Sequence, residues 1–313
     1  MDYNKARNMA NQNIILDMER FLDIYKDKTT NKTLKLIQKR RWLPLYTNSS
    51  LANECAYLVG KIMGDGHLAK NFCCSFIGQK DSLEQIKRVI TKIFDIDNNK
   101  VCLTKRKAKG ISYLLKINDV ALGKLLHMLG APLGNKTKVE FLLPNWIRIS
   151  NVFKQRFLQA ILEDELTSIK LEKAYHSNYP IFKLRKEGVL LSNLGIFLQE
   201  LKLLLRDFNI TTSEISKPRL TSNNKYDLYF KLHRNKPNII NFAEKINFRF
   251  NKRKKNSLNK CTKILKQTRN NRKPFIDKVK ISELSQKGLS IRQIAKVVNL
   301  NKSTVYRTIN NVP

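Results

Sequence analysis

Between residues 52 and 250 the apolar positions change period in an order that occurs twice. The first pass opens with an apolar helical stretch at 56–64 that runs into Asp65-Gly66. An alternating strand pattern follows at 72–78 (FCCSFIG), then an amphipathic helix at 82–94, strands at 101–106 and 112–117, and a helix at 120–129. The second pass opens with an apolar helix at 154–162 ending in Glu163-Asp164-Glu165. Strand-like segments at 180–184 and 189–191 come next, then a long helix at 194–208, a strand with basic residues at 213–219, an alternating strand at 225–233 and a helix at 237–246. Both passes read helix–strand–strand–helix–strand–strand–helix, the second with a longer insertion after its first helix. The long helices end in Phe94-Asp95-Ile96 and Phe208-Asn209-Ile210, and YLLKI and YDLYFKL fall in the same slot. The pattern predicts a duplicated α/β unit.

Outside the duplication, residues 14–25 predict a short amphipathic helix, and a basic stretch at 32–42 ends at the Leu43-Pro44 breaker. Residues 251–274 are polar and strongly basic, and predict a linker running along a phosphate backbone. Residues 291–310 meet the steric needs of a helix-turn-helix, with 281–287, Gly288 and Ser290 as a preceding helix and its turn. Ala295 is small where two helices cross, Asn299 suits a turn position needing positive φ, Ser303 can cap the second helix, and Val305 packs back on the first. The predicted organisation is an N-terminal helical and basic extension (1–50), two repeats (51–150 and 151–250), a basic linker (251–274) and a helix-turn-helix domain (275–313).

Composition then narrows the partner. The 313 residues are 42% hydrophobic, which excludes a disordered basic tail. Lys and Arg number 60 against 25 Asp and Glu, a net charge of +35 that calls for a polyanion, through release of condensed counterions. Charge alone leaves DNA, RNA and anionic membrane open, and the abundance of Asn points to an AT-rich genome as part of the bias. The five cysteines include no C-x-x-C pair, and the four histidines no H-x-x-x-H, so neither a disulfide framework nor a zinc site is expected. No segment of membrane-spanning length and no apolar signal core at the N-terminus are recognised, so an intracellular, soluble protein in a reducing compartment is expected.

The most informative segment is 58–68, LVGKIMGDGHL. Gly60 and Gly64 stand four apart on one helix face, which can approach a second helix backbone to backbone. Asp65 sits at the helix end and Gly66 turns the chain. Two such helices side by side would bring two carboxylates together, and adjacent acids of this kind hold divalent cations. Spacing alone also allows a plain buried helix with a Gly-Asp-Gly exit turn.

These residues resemble the LAGLIDADG homing endonuclease family in its two-repeat, monomeric form. Residues 58–66 match the family motif at Leu58, Gly60, Ile62, Asp65 and Gly66, and 157–166 (FLQAILEDEL) is similar to its second copy, which places Asp65 and Glu165 in equivalent positions. The resemblance covers about residues 52–250 and implies an α+β fold: two pseudo-symmetric αββαββα repeats with saddle-shaped antiparallel sheets in the DNA major groove, plus the small all-α helix-turn-helix domain. It implies two or three Mg²⁺ ions held among Asp65, Gly64, Glu165 and Asp164, with Asp65 and Glu165 catalytic. Gln79 would orient a water and Lys80 would stabilise the charged phosphorane. The second copy departs from the pattern. Leu166 replaces the expected Gly, and Asp164 stands where a small residue should face the partner helix. Ser192 and Asn193 occupy the slots of Gln79 and Lys80, leaving Lys183, Arg185 and Lys186 as substitutes or DNA contacts.

Double-stranded DNA is the implied partner, met by Lys105, Arg106 and Lys107, by Lys183, Arg185 and Lys186, and by Lys217 and Arg219. The C-terminal segment is similar to recombinase and transposase DNA-binding domains, which implies DNA contacts for Lys302, Ser303, Thr304, Tyr306 and Arg307. The expected function is site-specific, Mg²⁺-dependent double-strand cleavage by a monomer encoded in an intron or a free-standing mobile gene. An intein origin is not expected, since no Cys or Ser begins the chain and no His-Asn ends it. The alternatives are an inactive DNA-binding regulator, as in the sporulation-regulator family of the same architecture, or a maturase acting on intron RNA.

Overall fold

A computed structural model describes residues 13–25, 30–106, 112–172, 176–221, 224–267, 278–298, 300 and 302–310. The chain forms two compact units, Met1–Leu265 and Lys266–Pro313. The first unit begins with strand β1 (Ile14–Leu16) and helices α1 (Met18–Ile24) and α2 (Thr30–Lys39), and β2 (Leu45–Tyr46) returns to pair antiparallel with β1. The helix expected over 14–25 is therefore shorter. Asp17 caps it, accepting from the Arg20 N–H at 2.8 Å, while Ile15 and Leu16 are buried in the strand.

The first repeat follows as α3 (Ser50–Met63), β3 (His67–Leu68), β4 (Cys74–Gly78), α4 (Lys80–Lys92), β5 (Val101–Lys105), β6 (Tyr113–Ile117) and α5 (Val120–Met128). Its antiparallel sheet has the order β3-β4-β6-β5. Cys74, Phe76, Leu115 and Ile117 face the core, where Leu83, Ile86 and Ile90 of α4 are also buried. Helix α3 starts six residues before the apolar run because Ser49 caps it, accepting from the Ala52 N–H at 3.1 Å.

The second repeat comprises α6 (Asn151–Glu165), the hairpin β7 (Leu171–Glu172) and β8 (His176–Ser177), β9 (Ile181–Glu187), α7 (Leu191–Asp207), β10 (Arg219–Leu220), β11 (Lys225–Lys231) and α8 (Lys236–Asn241), which a π turn extends to Ile246. Among the described residues its sheet has three strands, β10-β11-β9. The counterpart of β3 is reduced to one bridge, Leu166 to Phe182.

The two strand segments expected at 180–184 and 189–191 are one strand followed by a helical turn at Gly188–Leu190. The strand expected at 213–219 forms only at its end. Ahead of it the Ser213 and Ser216 hydroxyls accept from the Lys231 and Tyr229 N–H groups at 3.0 and 3.1 Å, standing in for ladder carbonyls, and Pro218 offers no N–H. The duplicated Phe-Asp-Ile and Phe-Asn-Ile signatures have a common cause. Asp95 (φ 51°) and Asn209 (φ 58°) both adopt the left-handed conformation that ends the long helix.

Residues 188–207 are long and apolar enough to cross a membrane, contrary to the sequence expectation. In this fold they include α7, which buries Leu194, Phe197, Leu198 and Leu201 in the core and carries Glu200, Lys202 and Arg206. The predicted linker is also revised. Residues Lys252–Gln267 form helix α9, whose Leu258, Cys261, Thr262 and Leu265 recur at helical spacing and are buried. Dense charge on its other faces hid that stripe.

The second unit holds α10 (Lys278–Gln286), α11 (Ile291–Val297) and α12 (Lys302–Asn310). Ile281, Ile294, Ala295, Leu300 and Val305 form its core. Ser290 and Gln293 make a reciprocal capping box at α11, and Gly288 turns the chain at φ 78°. Asn299 lies outside the described residues.

Candidate active site at the ends of the motif helices

Helices α3 and α6 pack face to face through their small residues. A Cβ on Gly60 would lie 2.7 Å from the Phe157 carbonyl oxygen and 2.9 Å from Ala160 Cβ, and one on Gly64 would lie 2.9 Å from Asp164 Cβ. Gly66 also serves close approach. Its N–H donates to the Lys61 carbonyl at 2.8 Å, and a Cβ there would meet that oxygen at 2.6 Å. The second helix exits without a glycine. Leu166 still donates to the Leu162 carbonyl at 3.2 Å, turns extended (φ −81°, ψ 131°) and buries its side chain as it enters the sheet.

These exits bring Asp65, Asp164 and Glu165 together. The Asp65 N–H donates to Asp164 Oδ2 at 2.9 Å, tying the two helix ends. Asp164 Oδ1 accepts from the Lys61 ammonium, and both side chains are almost fully buried. Burial depresses the Lys61 pKa, but Asp164 and Glu163 outweigh it and the net shift is upward. Burial pushes the Asp164 carboxyl up to about 6, which leaves it ionised at neutral pH. Asp164 thus faces the partner helix as expected, but its oxygens are committed to Lys61 and to the backbone of Asp65. It is not a free metal ligand, because a carboxylate buried between helices must be paired.

Glu165 has no such partner among the described residues. Burial, then the charges of Asp65 and Asp164, push its carboxyl up to about 8, while Lys136 and Lys254 pull the other way. It lines two cavities, one of about 270 Å³ shared with Gly64 and Lys136, and one of about 580 Å³ shared with Asp164, Thr167 and Lys254. Another cavity of the latter volume, around His127 and Glu200, contains none of the motif acids.

Lys136 and Lys254 are the residues that sequence reasoning missed. Burial lowers the pKa of both, against the pull of the motif acids. A positional signal existed: each stands eight residues after its repeat's closing helical stretch, which ends at Met128 in the first and Ile246 in the second. Lys254 is further engaged, donating to the carbonyls of Glu163 (2.7 Å), Leu166 (2.5 Å) and, at 3.4 Å, Asp164, so it caps the negative end of α6. Glu163 grips the same segment, accepting from Tyr57 Oη at 2.6 Å and from the Phe250 N–H at 2.5 Å. Lys254→Ala leaves those carbonyls without their donor and is expected to lower stability by about 1–3 kcal/mol in urea unfolding at neutral pH.

Among the described residues neither Gln79 nor Lys80 makes a hydrogen bond or ion pair with the motif acids. Both are exposed at the start of α4, and Lys80 lies 3.9 Å from Glu84, one turn on. Asn193 is structural, accepting from the Phe141 N–H at 3.2 Å. Among the basic strand residues, Lys105, Arg106, Lys217 and Arg219 are exposed, and Lys107 lies outside the described residues. Lys183 and Arg185 share a face of β9 and both pair with Asp227. Lys186 is corrected: it points to the other face, is 1% exposed, donates to the Val139 carbonyl and lies 3.9 Å from the Phe141 ring centre. On α12, Lys302, Ser303, Tyr306 and Arg307 are exposed and Thr304 is half-buried.

Among the described residues no cluster of three or more Asp, Glu, His or Cys side chains could hold a metal. Asp65 and Glu165, one acid from each helix end, nevertheless suit Mg²⁺, which binds through one or two carboxylates and keeps waters and phosphate oxygens as its other ligands. The raised Glu165 pKa is the electrostatic deficit that such an ion removes. Because that pKa is raised from 4.5 to about 8, the folded state holds the proton more tightly than the unfolded chain does. The associated stability is full below about pH 4.5 and lost as pH rises through about 8. Without divalent ions, the Tm of the wild type is expected to fall more between about pH 5 and 8 than that of Glu165→Gln, and Mg²⁺ at the upper end should raise the first and not the second. Equal slopes would contradict this.

The homeodomain-like domain family matches residues 275–312. Over its larger part the chain is similar to segments of curated proteins with unrelated names. It is 30% identical over 197 residues to DNA-directed RNA polymerase subunit Rpo1N of Methanocaldococcus jannaschii, covering 58% of this chain and 14% of that protein. It is 27% identical over 233 residues to the replication factor C small subunit of the same organism, covering 71% and 12%. It is 25% identical over 239 residues to the tRNA-splicing ligase RtcB of Pyrococcus furiosus, covering 72% and 24%. The chain thus spans less than a quarter of each of these relatives. Similar solved structures include I-DmoI in complex with DNA and Ca (13% identity, 66% of this chain, 97% of that chain, TM-score 0.42). Another is the homing endonuclease I-WcaI bound to its DNA recognition sequence (18%, 71%, 98%, TM-score 0.41).

Proposed function

We propose that this chain is a site-specific, Mg²⁺-dependent DNA endonuclease of the LAGLIDADG type. The observation that carries the reading is Glu165, a carboxylate at the end of one motif helix whose pKa is driven up by burial and by Asp65 at the end of the other. A divalent ion bound between them would supply the charge that activates water and stabilises the leaving oxygen. Lys136 and Lys254 hold positive charge around Glu165, where it can offset the negative charge that builds on a phosphate under attack. Lys254 also serves three carbonyls, so Lys136 is the freer of the two. The exposed Lys105, Arg106, Lys183, Arg185, Lys217 and Arg219 would meet the duplex, and α12 would add a second contact through Lys302, Ser303, Thr304, Tyr306 and Arg307. Three relatives of unrelated activity that each share one stretch with this chain are what insertion of a mobile nuclease module into unrelated genes would leave behind.

The second reading is a duplex binder without cleavage, favoured by the Lys61–Asp164 pair that takes up one acid of the site. Duplexes selected by the full chain from a random pool without divalent ions separate the two readings. Adding Mg²⁺ should then produce double-strand cuts that disappear with Asp65→Asn while binding persists. Binding without cutting would favour the second reading, and selective retention of RNA would point to a maturase.

A further inference from the structure

The second sheet carries an arginine held in one orientation. Arg185 on β9 stands directly opposite Asp227 on β11, so the two side chains share a face. Asp227 Oδ1 accepts from Arg185 Nε at 2.7 Å, and Oδ2 accepts from Nη2 at 3.2 Å. Lys183, two residues away on the same face, lies 3.3 Å from Oδ2, and Arg219 on β10 stands opposite Asp227 in the strand register on the other side. Beneath these cations Asp227 is 5% exposed, and the Arg185 hydrogen bond holds its carboxyl below the usual range. An ion pair at a surface contributes little stability. What this one does is point the guanidinium. With Nε and one side of Nη2 occupied, the remaining donors are those on Nη1 and the outer side of Nη2, and no other acceptor for Arg185 is found among the described residues. That end-on pair is the fork that matches O6 and N7 of guanine in the major groove. Lys183, Arg185 and Asp227 also line the same 270 Å³ cavity as Lys136 and Glu165, so this face begins beside the candidate cleavage centre.

We propose that Arg185, oriented by Asp227, reads the guanine of one G·C pair close to the cut. The inference rests on the endonuclease reading and extends it from cutting to what is cut. A phosphate contact is the other role open to an exposed arginine; it would add affinity for every sequence alike. Asp227 supplies direction at the expense of charge.

Selection of duplexes from a randomised pool by the full-length protein, followed by binding measurements on single-base variants of the consensus, tests this. The wild type is expected to prefer G at one position near the cut by about 5- to 150-fold, the range for a bidentate contact. Arg185→Ala should flatten that position alone, and Arg185→Lys, which keeps the charge and loses the planar fork held by Asp227, should weaken the preference there. Asp227→Asn should weaken the preference in part. Uniform weakening of all sequences by Arg185→Ala, with the salt dependence falling by about one unit, would mark a phosphate contact and overturn the inference. So would a consensus unchanged by either arginine variant. A wild type that selects no duplex would instead overturn the endonuclease reading itself.

Discussion

Glu165→Gln should leave duplex binding in place and lower strand cleavage by about 10³-fold, the scale of removing a group that stabilises charge in the transition state. The amide keeps the shape of the side chain but cannot share a divalent ion with Asp65. The same change removes a carboxyl whose pKa stands at about 8, so the variant should melt at a higher temperature than the wild type in the absence of metal at that pH. Loss of function with gain of stability separates a metal-holding acid from a structural one. Asp164→Asn should behave in the opposite way. It strips the partner from a buried ammonium, Lys61, and is expected to lower stability by about 3–5 kcal/mol, the scale of breaking a buried ion pair. Single-turnover cleavage and thermal unfolding of the two variants, side by side, check both.

The other large effect is steric. Gly60→Leu drives a side chain into the backbone of the facing helix, where even a Cβ would stand 2.7 Å from the Phe157 carbonyl oxygen. Neither helix can give way, because α3 and α6 are buried along most of their lengths. The substitution should destabilise the first unit by more than about 4 kcal/mol and deprive it of a cooperative thermal transition. Gly195 provides the control. It also lies in a helix, but nothing among the described residues is within 4 Å of its Cβ position. Gly195→Ala should therefore stabilise by about 0.5–1 kcal/mol, through helix propensity and a less flexible unfolded chain. Opposite signs from two helical glycines would show that the α3–α6 contact, not helix formation, explains Gly60.

The duplication was legible because a twofold repeat of period changes leaves a long pattern, and because Asp95 and Asn209 mark helix ends that need the left-handed conformation. Asp65 was legible because the Gly60–Gly64 spacing sets it at the end of a face that had to pack, and Glu165 because its segment resembles the family's second motif. Lys136 was not, since it lies beyond its repeat's closing helix, where no period constrains which side chain turns inward, and Lys254 was not because it stands one turn before Leu258 in α9, a helix that its dense charge concealed. Four buried positions among many basic ones look like a linker unless their spacing is counted. Lys186 was misassigned because β9 was read as two pieces. One continuous strand puts 183 and 185 on one face and 186 on the other, a parity visible only when the strand is whole.

Anomalous diffraction from crystals of the protein bound to duplex DNA and Mn²⁺ tests most directly whether the two repeats pool their acids. A peak within coordination distance of both the Asp65 and Glu165 carboxylates, with Asp164 still on Lys61, is the expected result. A peak on one acid alone, or none while Glu165 closes onto Lys136 or Lys254, would contradict a shared metal and with it the nuclease.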